Sequence, residues 1–289
     1  MATLQTSGTI SISDIKSVFS SINANDLNSY RGKPWYRPSD GATGNFPVAP
    51  ASIGMSCFYG KTQLNATVTI STSQNNVKIK CLIPGYVAGQ TTAIVTVNSG
   101  VFIGSSSSAN PSMYLCFQGS DNIIIINNGN IFGAGGGGGS GGYGDASPPG
   151  GTGGTGGTAI CATNARGGVS IINNGYISGG GGGGGGGSGY KLFNGGYCQS
   201  YTSHQGSSGS GGAGVVPGGG SNAGFTYTGG GRTGGCEYGG AGGNLGLAGS
   251  PGGGTYPGAG GCAGYYIKGI ANLKGGALQG SGTKGGRVA

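Results

Sequence analysis

The chain has 289 residues, of which 76 are glycine and 11 proline, and a formal net charge of +8 from 14 basic and 6 acidic residues. With so much glycine and only 7% charged residues, it lacks the large side chains for one conventional core along its length, which weighs against an ordinary globular enzyme. The cations are scattered singly, with no Lys/Arg run to track a phosphate backbone, so no nucleic-acid partner is expected, while attraction to an anionic cell surface is compatible.

Glycine is unevenly spread: 12 of the 76 lie in residues 1–132 and 64 in residues 133–289. The composition predicts a small irregular docking region over 1–61, a β-strand domain over 62–132 and a glycine-rich domain over 133–289. In the first, S-G-T-I-S-I-S-D-I at 7–15 is loosely echoed by A-S-I-G-M-S-C-F-Y-G at 51–60. Ser13 or Asp14 is placed to cap one short helical turn before I-K-S-V-F. Trp35, the one tryptophan, sits among turn residues, so this region reads either as a small irregular domain or as a piece that completes its core on a partner.

Residues 62–132 read as strands. T-V-T-I-S-T, V-K-I-K-C-L-I and A-I-V-T-V-N alternate, M-Y-L-C-F and N-I-I-I-I follow, and turn residues separate them, as in a sandwich or a stack of strands. I-I-N-N-G-N-I-F-G at 125–133 then returns as I-I-N-N-G-Y-I-S-G at 171–179. V-T-V-N-S-G-V-F-I-G at 95–104 is a weaker relative, and I-A-N-L-K-G-G at 270–276 a degenerate one. Asn-Gly suits a tight turn because both residues tolerate positive φ. A recurring strand, turn, short strand and exit into glycine predicts stacked parallel layers, with Asn127 equivalent to Asn173 and Gly129 to Gly175.

Beyond residue 132, glycine runs at 135–142, 150–157, 179–189, 206–214, 229–235, 239–249 and 252–261 alternate with short segments of other composition. Ten of the 15 tyrosines lie in this half, unlike a flexible Gly/Ser linker. Glycine loses the most backbone entropy on ordering, so an ordered run needs dense compensation. One solution is the extended left-handed helix of three residues per turn, whose retained N–H groups bond neighbouring helices packed backbone to backbone. Rods of that kind, side by side, are the expectation here. A collagen helix is not, because glycine does not recur strictly every third residue.

I-I-N-N-G-Y-I-S followed by glycine at 179–187, and the alternation of glycine runs with tyrosine-bearing segments, resemble the tail-fibre tip adhesins of T-even-like bacteriophages over residues 95–289. The resemblance implies a sandwich of polyglycine II helices whose distal loops bind a bacterial outer-membrane protein or a surface glycan. It also implies a place at the tip of a virion tail fibre, after synthesis in the host cytoplasm. G-T-I-S-I-S-D-I, L-N-S-Y-R-G and I-G-M-S-C-F-Y-G are similar to pieces common in phage tail and virion proteins, and differ from the Trp-rich attachment helices of T-even adhesins. A tail or tail-fibre partner is therefore expected through residues 1–60.

The chemistry-bearing residues are sparse. His204, the one histidine, has only Asp145 and Glu237 as acids in its half, in no triad or paired-carboxylate motif. G-x-G-x-x-G recurs as it must in so much glycine, and no G-x-x-x-x-G-K-[ST] is present. Seven cysteines without a C-x-x-C pair indicate no zinc site and fit a reducing compartment; no cofactor or metal is expected. The start has no signal-like segment, and the longest aliphatic run, 123–126, inserts in no membrane. No catalytic residue is assigned. Candidate receptor contacts are the aromatic and charged residues between glycine runs: Tyr143, Asp145, Tyr190, Lys191, Phe193, Tyr197, Tyr201, His204, Phe225, Tyr227, Arg232, Glu237 and Tyr238. The segment 190–204 is read as an exposed loop. A structural or ice-binding glycine-rich protein is the alternative, and a surface polysaccharide depolymerase a weaker one.

Overall fold

A computed structural model describes residues 3–40, 42–143, 149–188, 190–194, 200–204, 207–210, 212–213 and 238–289. Residues before 65 form a unit with its own core. Its helix, Ile12–Val18, is capped by Ser11 rather than by Ser13 or Asp14. Asp14 is instead the returning half of a capping box, accepting from the Ser11 backbone N–H at 2.8 Å. The helix delivers Ile15 and Val18 to a cluster with Phe19, Tyr30, Phe46 and Phe58. Rings there meet edge to face, as Phe19 and Phe58 do at 5.8 Å between centroids. An antiparallel sheet of Ala42–Asn45, Pro34–Arg37 and Thr62–Gln63 flanks the cluster. The echo between 7–15 and 51–60 is not structural: the first leads into the capped helix, the second into a 3-10 turn, Met55–Phe58, that starts at Gly54 without a side-chain cap.

The chain then winds into a parallel β-helix of three faces. The first face stacks Ala66–Ile70, Thr92–Val97, Asn122–Asn127 and Val169–Asn173. The second stacks Gln74–Asn75, Phe102–Gly104, Asn130–Phe132, Tyr176–Ser178 and Thr283–Gly285. The third stacks Val77–Lys78, Met113–Cys116, Ile160–Asn164, Tyr265–Lys268 and Arg287–Val288. The order is therefore stacked strands, not a sandwich, and strands on both sides of Phe132 share the same sheets. Inward side chains stack in register, as Val68, Val95, Ile125 and Ile171 do. Val95, Ile125 and Ile171 are fully buried, and burial at such sites contributes about 1.5–3 kcal/mol each.

The I-I-N-N-G repeat is explained by this stack. Asn127 pairs with Asn173 in register, and the Asn127 Nδ2 donates to Asn173 Oδ1 at 2.8 Å in the buried interior. Outside, Asn174 Nδ2 donates to Asn128 Oδ1 at 3.0 Å. The weaker relative at 95–104 is the preceding coil, with Val97 in the place of Asn127. The segment 270–276 is not a further copy. It forms 3-10 turns, with Gly275 and Gly276 at φ 78 and 65, and Gln279 supplies the bridge to Ile172 instead. V-K-I-K-C-L-I likewise gives only a two-residue strand, because the chain turns the corner through the short helix Ile79–Leu82 to bury Ile79.

Asp121 stands buried at the entry to the first face. Its carboxylate accepts from the N–H groups of Gly89, Thr91 and Gln118 and from the Tyr86 hydroxyl at 2.7 Å. Burial first, and then this carboxylate, push the Tyr86 phenol well above the usual tyrosine range. Asp121→Ala is expected to destabilise the protein by about 3 kcal/mol in urea unfolding, since it strands the buried Thr91 N–H and three part-buried donors at once. A cost under about 1 kcal/mol would show that the turn does not depend on them.

The glycine runs leave the β-helix at one corner. They depart after second-face strands, Asn130–Phe132 and Tyr176–Ser178, and return before third-face strands, Ile160–Asn164 and Tyr265–Lys268. Residues 178–188 form the axis, buried throughout. Their hydrogen bonds repeat every three residues. Gly180, Gly183 and Gly186 donate to Gly157, Gly154 and Gly151. Gly181, Gly184 and Gly187 donate to Ala213, Ser210 and Ser207, and Gly182, Gly185 and Ser188 to Leu247, Ser250 and Gly253. Carbonyls of the same run accept from residues 133–142, 240–246 and 258–264. Among the described residues six segments thus surround one, and they are bonded to each other around the ring: 133–142 to 149–157, then 256–264, 247–253, 238–246 and 207–210 with 212–213, which returns to 133–142. Glycine is required on the axis by close approach. A Cβ on Gly180 would lie 1.8 Å from the carbonyl oxygen of Ala134. Two of the composition-defined runs contain reversals: 239–249 turns at Asn244–Leu247, where Gly246 has φ 74, and 252–261 turns at 254–257.

Candidate functional site

The ring of glycine segments has two ends. At the β-helix end, Leu245 and Ala213 pack with Phe132, beside Phe102 and Tyr176. The Phe132 and Tyr176 rings meet edge to face at 4.9 Å. This cluster seats the glycine segments on the outer side of the second face, and its one mark in the sequence is Leu245 interrupting a glycine run.

The other end gathers residues of three described intervals between runs. Gly142 N–H bonds Gly187 O at 2.8 Å, Ser188 N–H bonds Gly253 O at 2.9 Å, and Gly253 N–H bonds Tyr238 O at 2.7 Å. Gly150 N–H bonds Tyr256 O at 3.0 Å. These bonds bring Tyr143, Tyr238 and Tyr256 to the same end as the segment that follows Ser188. Tyr143 is 53% and Tyr256 50% exposed, while Tyr238 is half-buried and its ring lies against Gly253. Tyr256 was missed in the sequence because T-Y-P is so short an interruption that 252–261 reads as one run.

The segment 190–204 is a two-stranded antiparallel hairpin, Tyr190–Asn194 with Ser200–His204, rather than an irregular loop. Its register pairs Tyr190 with His204, Lys191 with Ser203 and Phe193 with Tyr201. Tyr190, Phe193, Tyr201 and Thr202 are residue types that favour extended backbone. Asp145, Tyr197, Phe225, Tyr227, Arg232 and Glu237 lie outside the described residues.

The N-terminal unit lies on the opposite side. Its Tyr36 and Leu64 pack on Ile94 and Ile124 of the first face, with Ile126 and Ile172 alongside. In a three-faced helix the corner between the second and third faces is opposite the first face. The aromatic end and Trp35 are thereby on opposite sides of the β-helix. Among the described residues no group of three His, Cys, Asp or Glu side chains could hold a metal ion. No described helix is long and apolar enough to cross a membrane.

The family model described as phage tail fibre adhesin Gp38 matches residues 65–288. No curated protein matches the chain. Among solved structures, the chain is similar to the crystal structure of the gp37-gp38 adhesin tip complex of the bacteriophage S16 long tail fiber. The identity is 20%, with 98% of this chain and 100% of that chain covered and a TM-score of 0.48.

Proposed function

The chain belongs to the phage tail fibre adhesin family, a receptor-binding component of the virion tail, and we propose that it binds a bacterial outer-membrane protein or surface glycan through the aromatic end of its glycine bundle. The observation that carries this reading is the gathering of Tyr143, Tyr238, Tyr256 and the hairpin at the end remote from the N-terminal unit. Tyrosine offers a broad contact surface with few rotatable bonds and one polar group, the composition of rigid recognition surfaces. The glycine segments are polyglycine II helices in this reading. Three residues per turn aim successive N–H groups at three neighbours, which accounts for the period of three in their hydrogen bonds. The rods act as a stiff support that holds the tip with little side-chain mass.

The test is competition. Purified protein should adsorb to host bacteria and block phage adsorption, and Tyr143→Ala with Tyr256→Ala should weaken both at least about tenfold, a loss of about 1.4 kcal/mol. Unaltered adsorption by the double variant would make these tyrosines lids over the bundle rather than contacts. The N-terminal unit is the attachment piece, joined to a fibre protein. Val48 and Met55, exposed on the same segment of that unit, are the residues to test. Val48→Asp with Met55→Asp should leave binding to bacteria intact and prevent incorporation into virions, read by blotting purified particles. Loss of bacterial binding with normal incorporation would reverse this polarity.

A further inference from the structure

The outer side of the third face carries chemistry that the tip does not use. Alternation along its strands buries Met113, Leu115, Ile160 and Ile267 and turns Lys78, Tyr114, Cys161 and Lys268 outward. Register aligns these four in one row across neighbouring strands. Strands lie about 4.8 Å apart, so the two ammonium groups stand at the ends of a row about 14 Å long with a tyrosine between them. A second row holds Tyr265 and Arg287, the guanidinium 4.3 Å from the ring centroid. Beside Tyr114, Asn76, Asn110 and Pro111 complete a groove with Lys78, and Asn164 Nδ2 fixes the Tyr114 hydroxyl at 2.9 Å.

Among the described residues no Asp or Glu side chain lies on this face. Of the six acidic residues, Asp14, Asp26 and Asp40 belong to the N-terminal unit and Asp121 is buried in a corner turn. Asp145 and Glu237 lie outside the described residues. Among the described residues the one ion pair is Arg37 with Asp40. Lys78, Lys268 and Arg287 are exposed and have no described carboxylate partner.

We propose that this face is a second, lateral binding surface for an anionic sugar chain, one bearing phosphate or carboxylate groups. Tyrosine rings present an apolar face to the C–H side of a sugar and hydroxyls to its polar rim, asparagine amides supply both donor and acceptor, and the lysines at the row ends take the anionic substituents. A nucleic acid is the poorer fit, because three cations spread over five strands, none of them in a sequence cluster, cannot neutralise a continuous phosphate backbone. The site is separate from the bundle tip: it lies on strands of the β-helix. A weak contact here would hold the adhesin against an anionic cell surface while the tip searches for its receptor, and the two contacts together would raise avidity.

The experiment is calorimetric titration of the full chain with four probes: a phosphate-bearing oligosaccharide, a uronic-acid oligosaccharide of equal charge, its neutral counterpart, and a DNA oligonucleotide of equal charge. Binding of either anionic sugar, with the neutral one at least about tenfold weaker, is expected, and the first two arms tell phosphate from carboxylate. Lys78→Glu with Lys268→Glu should weaken that binding at least about tenfold, and Tyr114→Ala should weaken it too, with melting temperature unchanged. Exchange of the 190–204 hairpin should leave it unaltered, which separates this surface from the tip. Equal binding of the neutral sugar, equal or tighter binding of DNA, or insensitivity to the lysine reversals would overturn the proposal. So would a loss that follows the hairpin exchange.

Discussion

Gly183→Ala is expected to abolish the folded bundle. Gly183 sits mid-axis, donating to Gly154 O at 2.8 Å while its carbonyl accepts from Gly261 N–H at 2.7 Å. A Cβ there would stand 1.8 Å from the oxygen and 2.5 Å from the carbon of the Gly137 carbonyl. Both atoms are backbone, so no rotamer change relieves the clash. Segment 133–142 would have to move off the axis, breaking bonds such as Gly136 to Gly181 and Gly139 to Gly184. Overpacking costs about 1–3 kcal/mol and each lost hydrogen bond about 1, so about 4 kcal/mol or more is expected, near the whole stability of many domains. Soluble yield and urea unfolding measure it. Thr152→Ala, at an exposed position on the ring segment 149–157, is the control and should fall within about 0.5 kcal/mol of the parent. Similar unfolding curves for the two variants would show that the segments are not packed at backbone contact.

Exchanging residues 190–204 for a hairpin of equal length and different sequence is expected to change which bacteria the protein binds while the fold is kept. The hairpin is anchored at Ser188, whose N–H bonds Gly253 O at 2.9 Å, and at Ser207, whose carbonyl accepts from Gly187 N–H at 2.8 Å. Those anchors are outside the exchanged residues. No described strand other than its own partner pairs with either arm. Stability should therefore stay within about 1 kcal/mol, the range of surface changes. Adsorption to a panel of strains and thermal melting are the two measurements. An unchanged host range, or a collapsed fold, would remove the hairpin from the recognition surface and make it part of the support.

The stacked layers were legible from residues 125–133 and 171–179 alone. A β-helix puts one residue of every coil in the same environment, so neighbouring coils repeat each other in sequence: Asn127 and Asn173 are alike because each needs the other's amide in a buried row. The need for backbone-to-backbone packing was equally legible, since only a run without side chains admits a carbonyl 1.8 Å from where a Cβ would be. Position within the bundle was not. Every glycine run has the same donors and acceptors at the same spacing, so composition cannot say which run is the axis, which neighbours bond it, or that Asn244–Leu247 reverses the chain inside an apparent run. The helical turn at Ile79–Leu82 and the hairpin of Tyr190–Asn194 with Ser200–His204 depart from the sequence expectation for a related reason: local pattern suits a strand or a loop, and what decides each is a corner to turn or a partner strand to pair with. Composition and repeat by themselves determined that this chain stacks strands and packs bare backbone. The tertiary structure decided that the glycine segments leave from one corner, opposite the face that the N-terminal unit covers, because only the winding of the coils fixes where each segment begins and ends.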